Sequence, residues 1–151
     1  MLTMHYEKTY RPTFTVVGIA CRASNAQPQA IYDLWQRFYE EKVSTHVLAR
    51  VRDAVYAIYC EYDSDHTGEY TFVLGYEVPA DAAIVEDPPD GLVVAVIPAA
   101  QYAVIEARGE QPEALISAWE HVGTSTLARS YICDFEVHWG PMAVEVYVGM
   151  K

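Results

Sequence analysis

Residues 17–38, VGIACRASNAQPQAIYDLWQRF, and residues 101–122, QYAVIEARGEQPEALISAWEHV, are two copies of one unit. At a constant offset of 84 and without a gap, Gln27-Pro28 falls on Gln111-Pro112, Ala30 on Ala114 and Trp35 on Trp119. Ile31, Leu34, Trp35 and Phe38 overlie Leu115, Ala118, Trp119 and Val122, and each set has the i, i+3, i+4, i+7 spacing of one helix face. A strand-like run precedes each helix, over 14–20 and 102–107. Pro28 suits a first helical turn, where the amide it lacks would have had no partner. A duplicated strand-helix unit creates a seam between copies, and small-molecule pockets tend to form at such seams. Two copies are too few for a solenoid.

In the first copy the strand covers 13–21, with Gly18 marking a close backbone approach or a bulge, and Ser24-Asn25 supplies capping chemistry for a helix that runs to about residue 41. A polar connection through Arg50 leads to a β-rich run at 54–62, a turn at Asp63-Ser64-Asp65-His66-Thr67-Gly68, and a return strand at 70–78. The Pro-rich acidic stretch at 79–91 reads as an exposed linker. A short apolar strand at 92–97 follows, then a strand at 102–107, a helix at 112–126, and strands at 131–139 and 143–150 that turn at Gly140-Pro141. The expected fold is α+β: two pseudo-symmetric strand-helix-strand-strand (βαββ) modules forming a curved, largely antiparallel sheet with two helices. The expected organisation is one domain over 1–151, with repeats at about 13–78 and 92–151.

The length of 151 residues allows a real hydrophobic core, and 52% hydrophobic with 21% charged residues fits an ordinary globular chain. Tyrosine is the outlier at twelve, beside three Trp and four Phe, and aromatic rings serve cores and ligand pockets alike. A net charge of -11 without a basic stripe opposes direct nucleic-acid binding. The same acidity fits solubility, a cationic ligand or a basic protein partner. Cys21, Cys60 and Cys133 are odd in number and form no CxxC pair, which fits a reducing compartment. The N-terminal MLTMHYEKTYRPTF has no apolar signal-peptide core, and no apolar run approaches a membrane span. The expectation is a cytoplasmic protein without membrane contact.

Four stretches carry a family resemblance: Val17-Gly18-Ile19, Leu34-Trp35-Gln36-Arg37-Phe38, the hairpin YAIYCEYDSDHTGEYTFVLG at 56–75, and Asp134-Phe135-Glu136. In order and spacing the chain resembles the GyrI-like small-molecule-binding family, which also occurs as the effector domain of AraC-type and MerR-type multidrug regulators. The resemblance implies a pair of modules enclosing an aromatic cavity that takes lipophilic, often cationic compounds. It also implies a ligand-facing acid in the late strand, at Glu136. Some members hydrolyse strained DNA-alkylating compounds, and one inhibits DNA gyrase. No helix-turn-helix flanks the unit here, so the chain is not expected to bind DNA itself. His138 stands where the family pattern has Tyr.

Read from its strand alone, Glu136 is as well placed on the open face of the sheet as in a cavity, since alternate side chains point outward. Burial among apolar neighbours would demand a partner or a cation and would raise its pKa. Glu61 is its counterpart if Cys60-Glu61 is aligned with Phe135-Glu136, though it opens an acidic, solvated turn. Asp134, Glu136 and His138 share one face of their strand, which permits a carboxylate-imidazole pair for general-base work or part of a metal site. No second half of a metal site is recognisable, because His5, His46, His66 and His121 have no ligand spacing; no metal or cofactor is expected.

Trp35 and Trp119 belong to the helix stripes and serve core and seam together. Tyr59, Tyr62, Phe72, Tyr102, Trp139 and Tyr147 come from strands near the seam and complete the candidate set with Glu136 and His138. Strand parity separates Tyr59 from Tyr62, so one of them is expected to face away. The leading expectation is a stand-alone binding module for a lipophilic, cationic aromatic compound, for sequestration or sensing. One alternative is a hydrolase acting on a reactive or strained aromatic compound with Glu136 as general base. The other is a gyrase-inhibitor-like interaction module whose exposed acidic stretches meet a protein partner. Homodimerisation is compatible with each.

Overall fold

In chain order the computed structural model runs β1 (Glu7–Arg11), β2 (Phe14–Ser24), α1 (Gln29–Glu40), a 3-10 turn (Val43–Thr45), β3 (Val55–Cys60), β4 (Glu69–Val78), a single helical turn α2 (Ala83–Glu86), β5 (Val93–Ile97), β6 (Ala100–Arg108), α3 (Glu113–Gly123), β7 (Cys133–Gly140) and β8 (Ala143–Gly149). The structure describes residues 6–151, so His5 and the first residues of the N-terminal segment lie outside the described residues. The eight strands form one sheet in the order β1-β6-β8-β7-β3-β4-β2-β5, with every pairing antiparallel. The architecture is the α+β arrangement expected. No helix among the described residues is long and apolar enough to cross a membrane.

The duplication is visible in strand register. Ala20 pairs with Val73 and Val73 with Ile58; at the offset of 84, Val104 pairs with Tyr147 and Tyr147 with Phe135. β3 therefore corresponds to β7, with Ile58 matching Phe135. These two are also directly opposed across the β3–β7 pairing, so the pseudo-twofold axis passes between them. This makes Tyr59 the counterpart of Glu136 and Glu61 the counterpart of His138. The expected match of Glu61 with Glu136 is displaced by two residues, because Cys60-Glu61 and Phe135-Glu136 are alike in residue type but not in strand register.

The edge strands extend the repeat and exchange sides. Val93 of β5 pairs with Gly18 of β2, while Thr9 of β1 pairs with Tyr102 of β6, so each copy's leading strand completes the sheet of the other. The first repeat thus begins at β1 rather than at residue 13. Its sequence, EKTYR, lacks an apolar face to announce a strand, and its charges suit an exposed edge.

α1 buries Leu34 and Phe38 against Val17, Ile19, Ala57, Phe72 and Leu74. α3 buries Ala118 and Val122 against Ala103, Ile105, Val146 and Val148. The helix-free face holds a third core of Phe14, Tyr56, Ile58, Val73, Tyr102 and Phe135. Phe14 of β2 and Phe135 of β7 have ring centroids 5.2 Å apart although β4 and β3 lie between their strands. A flat sheet would separate those strands by roughly 14 Å, so the sheet curls with its helix-free face concave. The helices sit on the outer face, one over each half.

Two connections differ from expectation. The polar segment after α1 drops Val43 and Val47 into the first core, and Ala82, Ile84 and Val85 of the acidic linker pack against it, with Leu92 just beyond. α3 ends at Gly123, short of residue 126. The close approach expected at Gly18 is present: Gly18 faces Gly75 across β2 and β4, and a Cβ on Gly18 would lie 1.9 Å from the Leu74 carbonyl oxygen.

Candidate functional site

Between α1 and α3, over the centre of the sheet at β3 and β7, lies a cavity of about 1130 Å³. Its walls are the duplicated helix positions. Pro28 and Pro112, Ile31 and Leu115, Tyr32 and Ile116, and Trp35 and Trp119 all line it, and each pair is one position seen twice at the offset of 84. The seam expected from the repeat is therefore a cavity whose sides are related by the pseudo-twofold axis.

The floor breaks that symmetry. Alternation along β7 turns Asp134, Glu136 and His138 to the helix side, as their spacing predicts, while Cys133, Phe135 and Val137 enter the concave core. Glu136 is only 2% exposed. Its Oε2 accepts hydrogen bonds from the Tyr59 hydroxyl at 2.7 Å and from the Trp119 indole Nε1 at 2.7 Å, and its Oε1 lies 2.8 Å from His138 Nε2. An indole N–H can only donate, so Oε2 is held as an acceptor. A carboxylate this deep is costly unless hydrogen-bonded, and three partners from β3, α3 and β7 meet that cost. Burial, and then the charge of Glu136, push the Tyr59 phenol well above its ordinary range.

Asp134 is held differently. It is fully buried and bonds Arg129 at 2.9 Å, the Gly149 backbone amide at 2.7 Å and the Tyr62 hydroxyl. Burial first, and Asp134 second, raise the Tyr62 phenol far above normal. Arg129, which lines the cavity, is thus committed to Asp134, and Glu136 has no Arg or Lys partner among the described residues. At the edge of the floor, the His138 ring meets Trp35 edge-on with centroids 5.0 Å apart. No group of three or more His, Cys, Asp or Glu poised to hold a metal occurs among the described residues.

Of the residues singled out from sequence, Trp35, Tyr59, Tyr62, Trp119, Glu136, His138 and Trp139 line the cavity. Tyr59 and Tyr62 both do so, against strand parity, because Glu61 between them adopts φ 49° and turns the chain after β3 ends. Trp139 stands at the rim, half exposed, beside the β-bulge between His138 and Gly140. Three expected pocket residues lie elsewhere. Phe72 is on the helix side but sealed under α1, against the Tyr59 ring. Tyr102 and Tyr147 point into the concave core, where Tyr147 stacks on Phe135 at 4.5 Å. Proximity of a strand to the seam does not specify its face. Tyr32, Tyr39, Tyr70 and Arg129 line the cavity and were not singled out. For Tyr32 the signal was present, one position beyond the matched Ile31 in the repeat.

A family model for Cass2, the integron-associated effector binding protein, matches residues 9–150. The chain belongs to this family. It is similar to YobU of Bacillus subtilis (strain 168), at 27% identity over 148 residues, covering 89% of this chain and 90% of YobU. Two solved structures share the Cass2 fold. The integron cassette protein VCH_CASS2, from the mobile metagenome of Vibrio cholerae, matches at a TM-score of 0.77 and 23% identity, over 97% of this chain and 95% of its own. SAV2435, solved bound to tetraphenylphosphonium, matches at a TM-score of 0.77 and 21% identity, over 98% and 94% of the two chains. The GyrI-like resemblance read from the sequence is borne out.

Proposed function

We propose that this Cass2-family protein binds a lipophilic, cationic aromatic compound in the cavity between its two halves, for sequestration or sensing. The observation that carries the reading is Glu136: a nearly buried carboxylate at the floor of an aromatic-walled cavity, with no Arg or Lys partner among the described residues. Water excluded from such a floor strengthens the attraction between a carboxylate and a cation. Trp35, Trp119, Tyr59 and the rim tyrosines Tyr32 and Tyr39 add apolar contact and cation–π attraction, each on the order of 1 kcal/mol. Tetraphenylphosphonium, the compound bound to SAV2435, is the natural first probe.

The test is thermal denaturation with tetraphenylphosphonium and with neutral triphenylphosphine oxide, for the wild type and Glu136→Gln. At 100 times its dissociation constant a ligand stabilises by about 2.7 kcal/mol. The reading expects a shift with the cation, little with the neutral compound, and loss of the cation's shift in Glu136→Gln. Equal shifts for the two compounds, or a cation shift undiminished in the variant, overturn it.

A second reading, hydrolysis of a reactive aromatic compound, is favoured by the 2.8 Å contact between His138 and Glu136, which resembles an oriented general base. Its mark is ligand turnover that disappears in Glu136→Gln while binding survives.

A further inference from the structure

We propose that His138 is a tethered counter-ion for Glu136 that competes with the ligand's positive charge, so that its protonation decides how much of the Glu136 charge a ligand meets. This rests on the reading of the cavity as a cation site.

The geometry isolates the pair. His138 Nε2 lies 2.8 Å from Glu136 Oε1, while Oε2 is occupied by the donors Tyr59 and Trp119. With a neutral imidazole the pair carries one negative charge, and with an imidazolium it carries none. On its own strand, Asp134 is bound to Arg129 and the Gly149 amide. β3 and β8 place Val55 and Val144 opposite it. α1 contributes the uncharged Trp35 ring, with Tyr39 stacked 6.0 Å from that indole. Before β3, Asp53 is exposed and paired with Arg50, while Arg52 bonds Glu77 and Tyr56. On α3, Glu120 is exposed. Among the described residues, no other charged group bonds either member of the pair.

Trp35 completes the competition. An imidazolium against an indole ring has a π-system to rest on as well as a carboxylate to bond. A ligand cation seated over Glu136 draws on the same two partners. By linkage, ligand binding expels the His138 proton, and acidification that protonates His138 weakens binding by up to about tenfold per pH unit.

The experiment is calorimetric titration of tetraphenylphosphonium into the wild type, His138→Gln and His138→Asn at pH 5.5, 7.0 and 8.5, in buffers of different ionisation enthalpy so that released protons are counted. Circular dichroism shows which variants are folded, and the two substitutions guard against loss of either one. The inference expects wild-type affinity to rise at least about tenfold from pH 5.5 to 8.5, with proton release in the acidic arm. In the variants the ratio between the two pH values collapses toward one and proton release is lost. A profile of the same steepness in the variants overturns the inference, because titration elsewhere then accounts for it. A wild-type affinity that does not change with pH overturns it also, while leaving the cavity reading intact. Failure of the wild type to bind at any of the three pH values overturns the cavity reading itself, and this inference with it.

Discussion

Tyr59 and Glu136 occupy the same position in the two halves of the chain and are hydrogen-bonded to each other, hydroxyl to carboxylate, at 2.7 Å. This follows from the axis between Ile58 and Phe135: residues one step beyond it on the two strands are diagonal neighbours on the same face. Two tyrosines there would leave the centre of the floor without a charge, and two carboxylates would repel. Divergence of the copies at this one position gives a donor, an acceptor and a single negative charge at the centre of a symmetric enclosure.

Tyr59→Phe removes one of the two donors to Glu136 Oε2 while keeping the ring contacts with Phe72 and Trp119. The expected loss is about 1–3 kcal/mol of unfolding free energy by urea titration. A change near zero would mean that Glu136 finds another donor.

Arg129→Met leaves Asp134 buried with a hydroxyl and an amide but no counter-charge. Breaking such a pair from one side costs about 3–5 kcal/mol. Asp134→Asn added to Arg129→Met should recover part of that loss, and the double-mutant cycle measures the coupling.

Gly75→Ala drives a Cβ to 2.3 Å from the Val17 carbonyl oxygen, an atom of β2 that cannot swing aside. The expected result is loss of more than about 3 kcal/mol or failure to fold, read from soluble yield and urea unfolding. Gly123→Ala, with open space around its Cβ, is the control and should be close to neutral.

Alkaline pH gives a signed test of phenol burial. Tyr70 is pushed up to about 12 chiefly by burial, and Tyr59 and Tyr62 are also raised well above the ordinary phenol range, by burial first and then by their carboxylates. A phenol raised in the fold contributes stability that is whole below its unfolded value near 10 and is lost as pH rises toward the folded value. Stability should therefore fall with pH above about 10. Absorbance at 295 nm should show exposed tyrosines ionising first and the buried set appearing only with unfolding. Smooth titration of all tyrosines near pH 10 in folded protein would contradict the burial.

The repeat made the helices, their buried stripes and both tryptophan walls legible in the sequence, since Trp35 and Trp119 recur with their apolar neighbours at one offset. Glu136 was legible through its family position, and its place among Asp134 and His138 through strand alternation. β1 was not, because a polar edge strand is specified by the partner it docks on rather than by its own pattern. Strand parity set Tyr59 and Tyr62 on opposite faces, a rule that the left-handed Glu61 breaks, so that both reach the cavity. Tyr102 and Tyr147 carry the same chemistry as the cavity tyrosines, and only the face of the curled sheet they occupy separates them.

The exchanged edge strands bear on how this molecule can come into being. β1 closes onto β6 and β5 onto β2, so a chain severed in the connection at 79–91 would yield two pieces, each bearing the strand that finishes its sibling. Neither piece could complete its own sheet, yet together they hold every hydrogen bond of the whole. The duplication has ended in two halves that are no longer separable, and β1 cannot reach its seat until the second half has been made.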